Sequence, residues 1–75
     1  MKPDERAFLA ALQAEPTLPP RAVIAALGMN PKRAHYLLDK WAERGWYDYG
    51  VCIDLGWLTI EGKNEPASSH AERVA

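Results

Sequence analysis

The sequence predicts an α+β domain in which three helices precede a β-hairpin. Up to Gly45, large apolar residues recur at the i, i+3, i+4 spacing of helices that are buried on one side. After Gly45 the spacing changes to the alternation that is typical of strands. The short segment Gly28-Met29-Asn30 separates the second helical stretch from the third. The last two helices are therefore predicted to be joined by a tight turn, as in a helix-turn-helix unit.

The first predicted helix spans about residues 4–14 and ends before Pro16. Its first turn holds Asp4 and Glu5, and carboxylates at this position interact favourably with the helix dipole. The stripe that we expect to face the core consists of Phe8, Leu9, Ala11 and Leu12.

The second predicted helix starts near Pro20, because proline fits the first turn of a helix, where its missing N–H is not needed. Gly28 is placed to end this helix in a left-handed conformation, which glycine adopts without steric cost. Met29 is expected to fill the turn. The predicted inward face consists of Val23, Ile24 and Leu27.

The third predicted helix starts at the N-cap Asn30 and runs to about Arg44, with Gly45 as its C-terminal cap. Its predicted buried stripe is Ala34, Leu37, Leu38 and Trp41. The opposite, exposed face consists of Pro31, Lys32, Arg33, His35, Tyr36, Asp39 and Lys40.

The hairpin is predicted from the alternation after Gly45, which continues to Ile60. Its turn is expected near Leu55-Gly56, although Asp48-Tyr49-Gly50 offers an earlier turn or a bulge. Residues 1–62 are thus predicted to form one domain, followed by a disordered tail at 63–75. One face of the first strand should carry Tyr47, Tyr49, Val51, Ile53 and Leu55. The remaining large core candidates are Leu18, Trp46, Leu58 and Ile60.

Composition narrows the classes of protein that fit the chain. The N-terminus is too charged for a signal peptide, and no apolar run approaches the roughly 20 residues of a membrane span. We therefore expect a cytoplasmic protein without membrane contact. Cys52 has no partner for an internal disulfide and is expected to be a small, buried or half-buried hydrophobic residue.

Motifs for catalysis or for metal binding do not occur in the sequence. We find no zinc-ligand spacing, glycine-rich phosphate loop or nucleophile motif. The chain is therefore expected to be neither an enzyme nor a carrier of a metal or another cofactor.

The ordered series of signals resembles the winged helix-turn-helix family of DNA-binding domains. The likeness covers about residues 4–62 and is most specific in LGMNPKRAHYLLDKW and ERGW, which are similar to a recognition helix and the step into the wing. GWLTIEG is similar to the segment that closes the wing in several bacterial regulators. The resemblance implies a three-helix core followed by a β-hairpin wing. It also implies a small transcriptional regulator of the short bacterial or prophage type.

The same resemblance implies that the helix at 30–44 enters the major groove of double-stranded DNA. A homodimer on a pseudo-palindromic site would be the usual way to gain affinity, and the oligomeric state stays open. The DNA-binding residues implied are Arg21, Pro31, Lys32, Arg33, His35, Tyr36 and Lys40.

Charge leaves two alternatives open. The net charge is −1, with a positive excess at 29–45 and an acidic hairpin, whereas wings of the family commonly carry Arg or Lys. The chain could therefore be a protein–protein interaction module without direct DNA contact, anchored by Tyr47, Tyr49 or Trp57. The cations of the third helix could also be plain solvated charges, some of them paired with Asp39 or Glu43 at helical spacing.

Overall fold

The computed structural model describes residues 1–66, which form four α-helices and one antiparallel hairpin in an α+β arrangement. Strand β1 (Tyr47–Asp48) pairs with β2 (Trp57–Leu58), with Tyr47 opposite Leu58. The three predicted helices and the hairpin are present, and the fourth helix was not predicted. The helices are α1 (Pro3–Ala14), α2 (Pro20–Leu27), α3 (Pro31–Glu43) and α4 (Ile60–Asn64). None of them is both long enough and apolar enough to cross a bilayer.

The core lies where α1, α2 and α3 meet the base of the hairpin. The rings of Phe8 on α1 and Trp41 on α3 are fully buried, with centroids 5.3 Å apart and planes tilted by 38°. Tilted rings at this separation attract each other in addition to the free energy gained by burial. The other buried apolar residues are Leu9, Leu12, Val23, Ile24, Ala34, Leu37, Leu38, Tyr47 and Leu58.

The turn between α2 and α3 has the geometry that its residues predict. Gly28 is left-handed, with a φ of 66°, and the N–H of Met29 donates to the carbonyl of Ile24 at 3.1 Å. Asn30 caps α3, because its side-chain oxygen accepts from the backbone N–H of Lys32 at 2.9 Å and of Arg33 at 3.2 Å. Both predicted caps are confirmed, and only three residues separate the end of α2 from the start of α3.

Three predicted core residues and Cys52 are exposed instead. Leu18 lies in the link between α1 and α2, and Leu27 is the last residue of α2, so that both extend past the edge of the core. Ile60 is 76% exposed because it begins a helix and leaves the strand alternation. Cys52 lies exposed in the loop of the hairpin. Spacing alone did not show where the core ends.

The hairpin is shorter than the alternation predicts, because the chain between its strands folds back over Tyr47. The buried Tyr47 hydroxyl donates to the carbonyl of Ile53 and accepts from the N–H of Gly56 at 2.9 Å. A 3-10 turn at Ile53–Leu55 therefore replaces the predicted strand. Val51 is 96% exposed and Leu55 is 45% exposed, so the predicted common face is wrong at these two residues, whereas Ile53 still packs against the core.

Helix α4 closes the hairpin onto α1. The hydroxyl of Thr59 donates to the carbonyl of Gly45 at 2.6 Å and accepts from the N–H of Gly62 at 3.1 Å, which caps the helix. The amide of Gln13 donates to the carbonyls of Gly62 and Glu65, at 2.9 and 2.6 Å. The helix extends to Asn64, two residues past the predicted end of the domain. The rest of the predicted tail, from residue 67, lies outside the described residues.

Gly62→Ala should lower the free energy of unfolding by about 2 kcal/mol, as overpacking typically does. A Cβ at this buried position would collide with the backbone carbonyl of Trp46. The steric cost should outweigh the roughly 1 kcal/mol by which alanine favours a helix. Urea unfolding followed by circular dichroism measures the difference.

Gly50→Ala is the matched control, because a Cβ at Gly50 meets no heavy atom within 4 Å. We expect this variant to unfold within about 0.5 kcal/mol of the parent protein. Equal stabilities for the two variants would contradict the close approach of α4 to the hairpin.

Candidate nucleic-acid interface

The face of α3 opposite the core is the candidate interface. The buried residues Ala34, Leu37, Leu38 and Trp41 fix the orientation of the helix. By the same helical geometry, its outermost line consists of Lys32, Tyr36, Asp39 and Glu43, which are all exposed. Of the predicted contact residues, Pro31, Lys32, His35 and Tyr36 are exposed, whereas Arg33 and Lys40 are half-buried.

Arg33 lies on the flank of α3 that faces α1 and forms an ion pair with Asp4. Its Nε donates to Asp4 Oδ2 at 2.8 Å and its Nη2 to Oδ1 at 3.1 Å. The Arg33 guanidinium, helped by the N–H of Glu5, lowers the pKa of Asp4 from its usual 3.8 to about 2. Arg33 also lies over the ring of Tyr36, with its Cζ 5.7 Å from the centroid. The side chain is therefore held on two sides.

Arg21, at the start of α2, forms a similar pair with Asp54 in the loop of the hairpin. Its Nε and Nη2 donate to the two carboxylate oxygens at 2.9 and 3.0 Å. Hydrogen bonding to Arg21 lowers the pKa of Asp54 below its usual 3.8. His35 lies on the same flank, with its Nε2 3.6 Å from Asp54 Oδ2. Asp54 thus connects α2, α3 and the hairpin.

Lys40 is bound to Glu5, a buried carboxylate on α1. Glu5 is 2% exposed and accepts from Trp41 Nε1 at 2.8 Å and from Lys40 Nζ at 3.3 Å. Burial raises the pKa of Glu5, but the hydrogen bonds from Trp41 and Lys40 outweigh it, and the net pKa lies below the usual 4.5. The ammonium of Lys40 therefore lies against a buried carboxylate of α1, although its side chain is 30% exposed.

Lys32 differs from the other cations among the predicted DNA-binding residues in having no carboxylate partner within the described residues. Within residues 1–66 its side chain forms no ion pair, while Arg21, Arg33 and Lys40 each contact a carboxylate. The predicted partners of these cations, Asp39 and Glu43, form none of the pairs. The carboxylates come from α1 and from the hairpin loop instead, and those of α1 pair with two of the four cations in residues 29–45.

The three aromatic residues predicted as anchors for a protein partner lie in different environments. Tyr47 is 2% exposed and cannot be an anchor, which corrects the expectation from the sequence. Tyr49 is half-buried and stacks on Tyr47 at a centroid distance of 6.2 Å. Trp57 is 53% exposed and lines a cleft of about 270 Å³ together with Leu18 and Pro16.

Sequence reasoning missed the three carboxylates that organise this surface. Glu5 had a usable signal, since it precedes Phe8 and Leu9 by three and four residues and so shares their buried face. The need of a buried Trp41 for a hydrogen-bond acceptor was a second signal. Asp4 and Asp54 had none, because their partners are 29 and 33 residues away in the chain.

No protein-family model, curated protein or solved structure matches the chain. Function is therefore inferred from the residues and their geometry.

Glu5→Gln should lower the free energy of unfolding at pH 7 by about 2 kcal/mol, since Gln keeps an acceptor for Trp41 but loses the ion pair with Lys40. The pKa of Glu5 is lower in the folded state. The stability that its charge contributes is therefore present above the ordinary value of 4.5 and is lost as the pH falls through the folded value. Urea unfolding at pH 7, 4 and 3 should show the parent and the variant converging.

Glu15→Gln is the matched control, because it removes the same charge from the exposed end of α1. It should change stability by less than about 0.5 kcal/mol. A constant gap between Glu5→Gln and the parent down to pH 3 would show that the charge of Glu5 does not contribute.

Proposed function

We propose that the protein binds double-stranded DNA as a winged helix-turn-helix domain and acts as a small transcriptional regulator. The recognition helix is α3, which enters the major groove with its N-terminal turn. The observation that carries this proposal is the exposed, Asn30-capped start of α3, which only three residues separate from α2. The positive end of the α3 dipole and the Lys32 side chain both face outward there.

The charge pattern supports contact through the first turn of α3 rather than along its length. Lys32 lies on the outermost line near the start of α3, while Asp39 and Glu43 follow on the same line. Carboxylates repel phosphates, so the second half of the helix would be kept away from the DNA backbone. The contact surface in the proposal also includes Pro31, Arg33, His35 and Tyr36.

The ion pairs predict weak dependence on salt. Because Arg21, Arg33 and Lys40 are already paired, binding would release few counterions from the DNA. We expect a slope of log affinity against log salt of about −1 to −3, whereas proteins with many phosphate contacts have slopes near −6 to −9. A second copy on a pseudo-palindromic site would supply the additional contact area that one module lacks.

A second candidate function is that of a protein-interaction module without DNA contact. The observation that favours it is the cleft beside Trp57, together with the exposure of Leu18. Aromatic residues in partly enclosed clefts are typical anchors of protein interfaces.

A titration of ¹⁵N-labelled protein with a mixed-sequence duplex at low salt distinguishes the two functions. DNA binding predicts amide shifts concentrated at residues 32–40 and at Arg21, which weaken as salt is added. Shifts that are absent, or that occur mainly around Trp57, would contradict the DNA proposal.

Lys32→Ala should weaken DNA binding about threefold to tenfold and reduce the salt slope by about one, without lowering stability. Its side chain is exposed and forms no ion pair within the described residues. Fluorescence anisotropy with a labelled duplex at several salt concentrations measures both quantities.

Lys63→Ala is the matched control, since Lys63 is exposed on α4 and lines the cleft near Leu12 and Pro16. We expect it to change the affinity by less than twofold. Equal losses in the two variants would indicate nonspecific attraction rather than contact through α3.

A further inference from the structure

Arg33 and Arg21 are bound by carboxylates in the same side-on geometry. In each pair, Nε and Nη2 donate to the two oxygens of a single aspartate, at 2.8 to 3.1 Å. A guanidinium has five N–H groups, and this geometry uses only the edge beside the side-chain stem. Within residues 1–66, neither Nη1 donates a hydrogen bond. The end of each guanidinium can therefore donate two parallel hydrogen bonds to a ligand with two adjacent acceptors.

Arg33 is the more firmly oriented of the two arginines. Its side chain is 31% exposed, against 61% for Arg21, and the Tyr36 ring lies beside it. Asp4 is itself fixed, because its Oδ1 accepts from the N–H of Glu5 at 2.8 Å. The ion pair thus connects the first turn of α1 to the first turn of α3. An arginine oriented in advance loses little side-chain entropy when it binds a ligand.

The pairing also decides what Arg33 can contribute to binding. Together, Arg33 and Asp4 carry no net charge, so the pair attracts the phosphate backbone only weakly. Its contribution is directional, through two donors at a fixed position in the turn that would face base edges. In the major groove, guanine presents two adjacent acceptors, N7 and O6, which match these donors.

We propose that Arg33 recognises a guanine in the major groove and that Asp4 is the residue that positions it. This inference rests on the proposed function and names the base that the same surface selects. Asp4 does not touch the DNA. It acts through Arg33, by holding the guanidinium so that Nη1 and Nη2 point toward N7 and O6.

The test begins with a library of random duplexes of about 20 base pairs, equilibrated with the protein at low salt. Sequencing of the bound fraction gives the base preference at each position. We expect the parent protein to favour guanine at one position by about tenfold. Replacing that guanine with 7-deazaguanine removes the N7 acceptor and should abolish most of the preference. An unchanged affinity for the 7-deazaguanine duplex would show that the protein does not contact N7, and it would overturn the inference.

Two substitutions test the positioning role. Asp4→Asn should reduce the guanine preference to about twofold or less while the protein still binds DNA. Arg33→Lys keeps the charge but replaces the rigid, coplanar pair of donors with a single mobile ammonium, and it should lose most of the preference. Circular dichroism at the assay temperature establishes that both variants are folded, and Arg33→Lys can still form an ion pair with Asp4.

Asp48→Asn is the matched control, since it removes the same charge from an exposed carboxylate that forms no ion pair within residues 1–66. It should leave the guanine preference intact. If Asp4→Asn instead strengthens binding to all duplexes and keeps the preference, Asp4 merely competes with phosphate, and the positioning role is wrong. If the parent protein binds no duplex at low salt, the proposed function itself fails.

Discussion

The buried carboxylate of Glu5 is the contact on which the arrangement of α1 and α3 depends. Taking a carboxylate out of water is costly unless hydrogen bonds replace its hydration. Here the indole of Trp41 and the ammonium of Lys40 provide those bonds, so the charge is stable only where the two helices meet in this register. Apolar contacts such as that of Phe8 with Trp41 add free energy but tolerate small shifts. The hydrogen bonds to Glu5 do not tolerate such shifts.

The position of Arg33 follows from this contact. Asp4 directly precedes Glu5, so the helix register that buries one carboxylate brings the other to the flank of α3. In the same way, the hairpin loop brings the carboxylate of Asp54 next to Arg21. The hydrogen bonds of the Tyr47 hydroxyl to Ile53 and Gly56 fix the path of that loop. The candidate surface is therefore assembled from α1, α2, α3 and the hairpin loop, and the outward residues of α3 alone do not describe it.

The parts of the fold that depend on neighbouring residues could be predicted from the sequence. The left-handed Gly28, the Asn30 cap and the buried stripe that ends at Trp41 each follow from residue chemistry within one or two turns. The hairpin could not be predicted in detail. The hydroxyl of Tyr47 hydrogen-bonds to the 3-10 turn at Ile53–Leu55, whereas the alternation of apolar residues predicts a strand there.

The electrostatics of the surface could not be predicted for a related reason. Spacing within α3 suggested Asp39 and Glu43 as partners for its cations, but the actual partner of Arg33 is on α1. Such pairs depend on how the helices pack, which no local pattern encodes. Glu5 is the exception, since its position on an apolar stripe was visible in the sequence.

The two side-on pairs have a consequence for how this chain can diverge. Each joins residues that are far apart in the sequence but adjacent in the fold, so loss of one partner leaves the other without its counter-charge. Among natural variants of this sequence, positions 4 and 33 should change together, as should positions 21 and 54. Selection on this surface would then be visible as correlated substitutions at these pairs of positions rather than as single invariant residues.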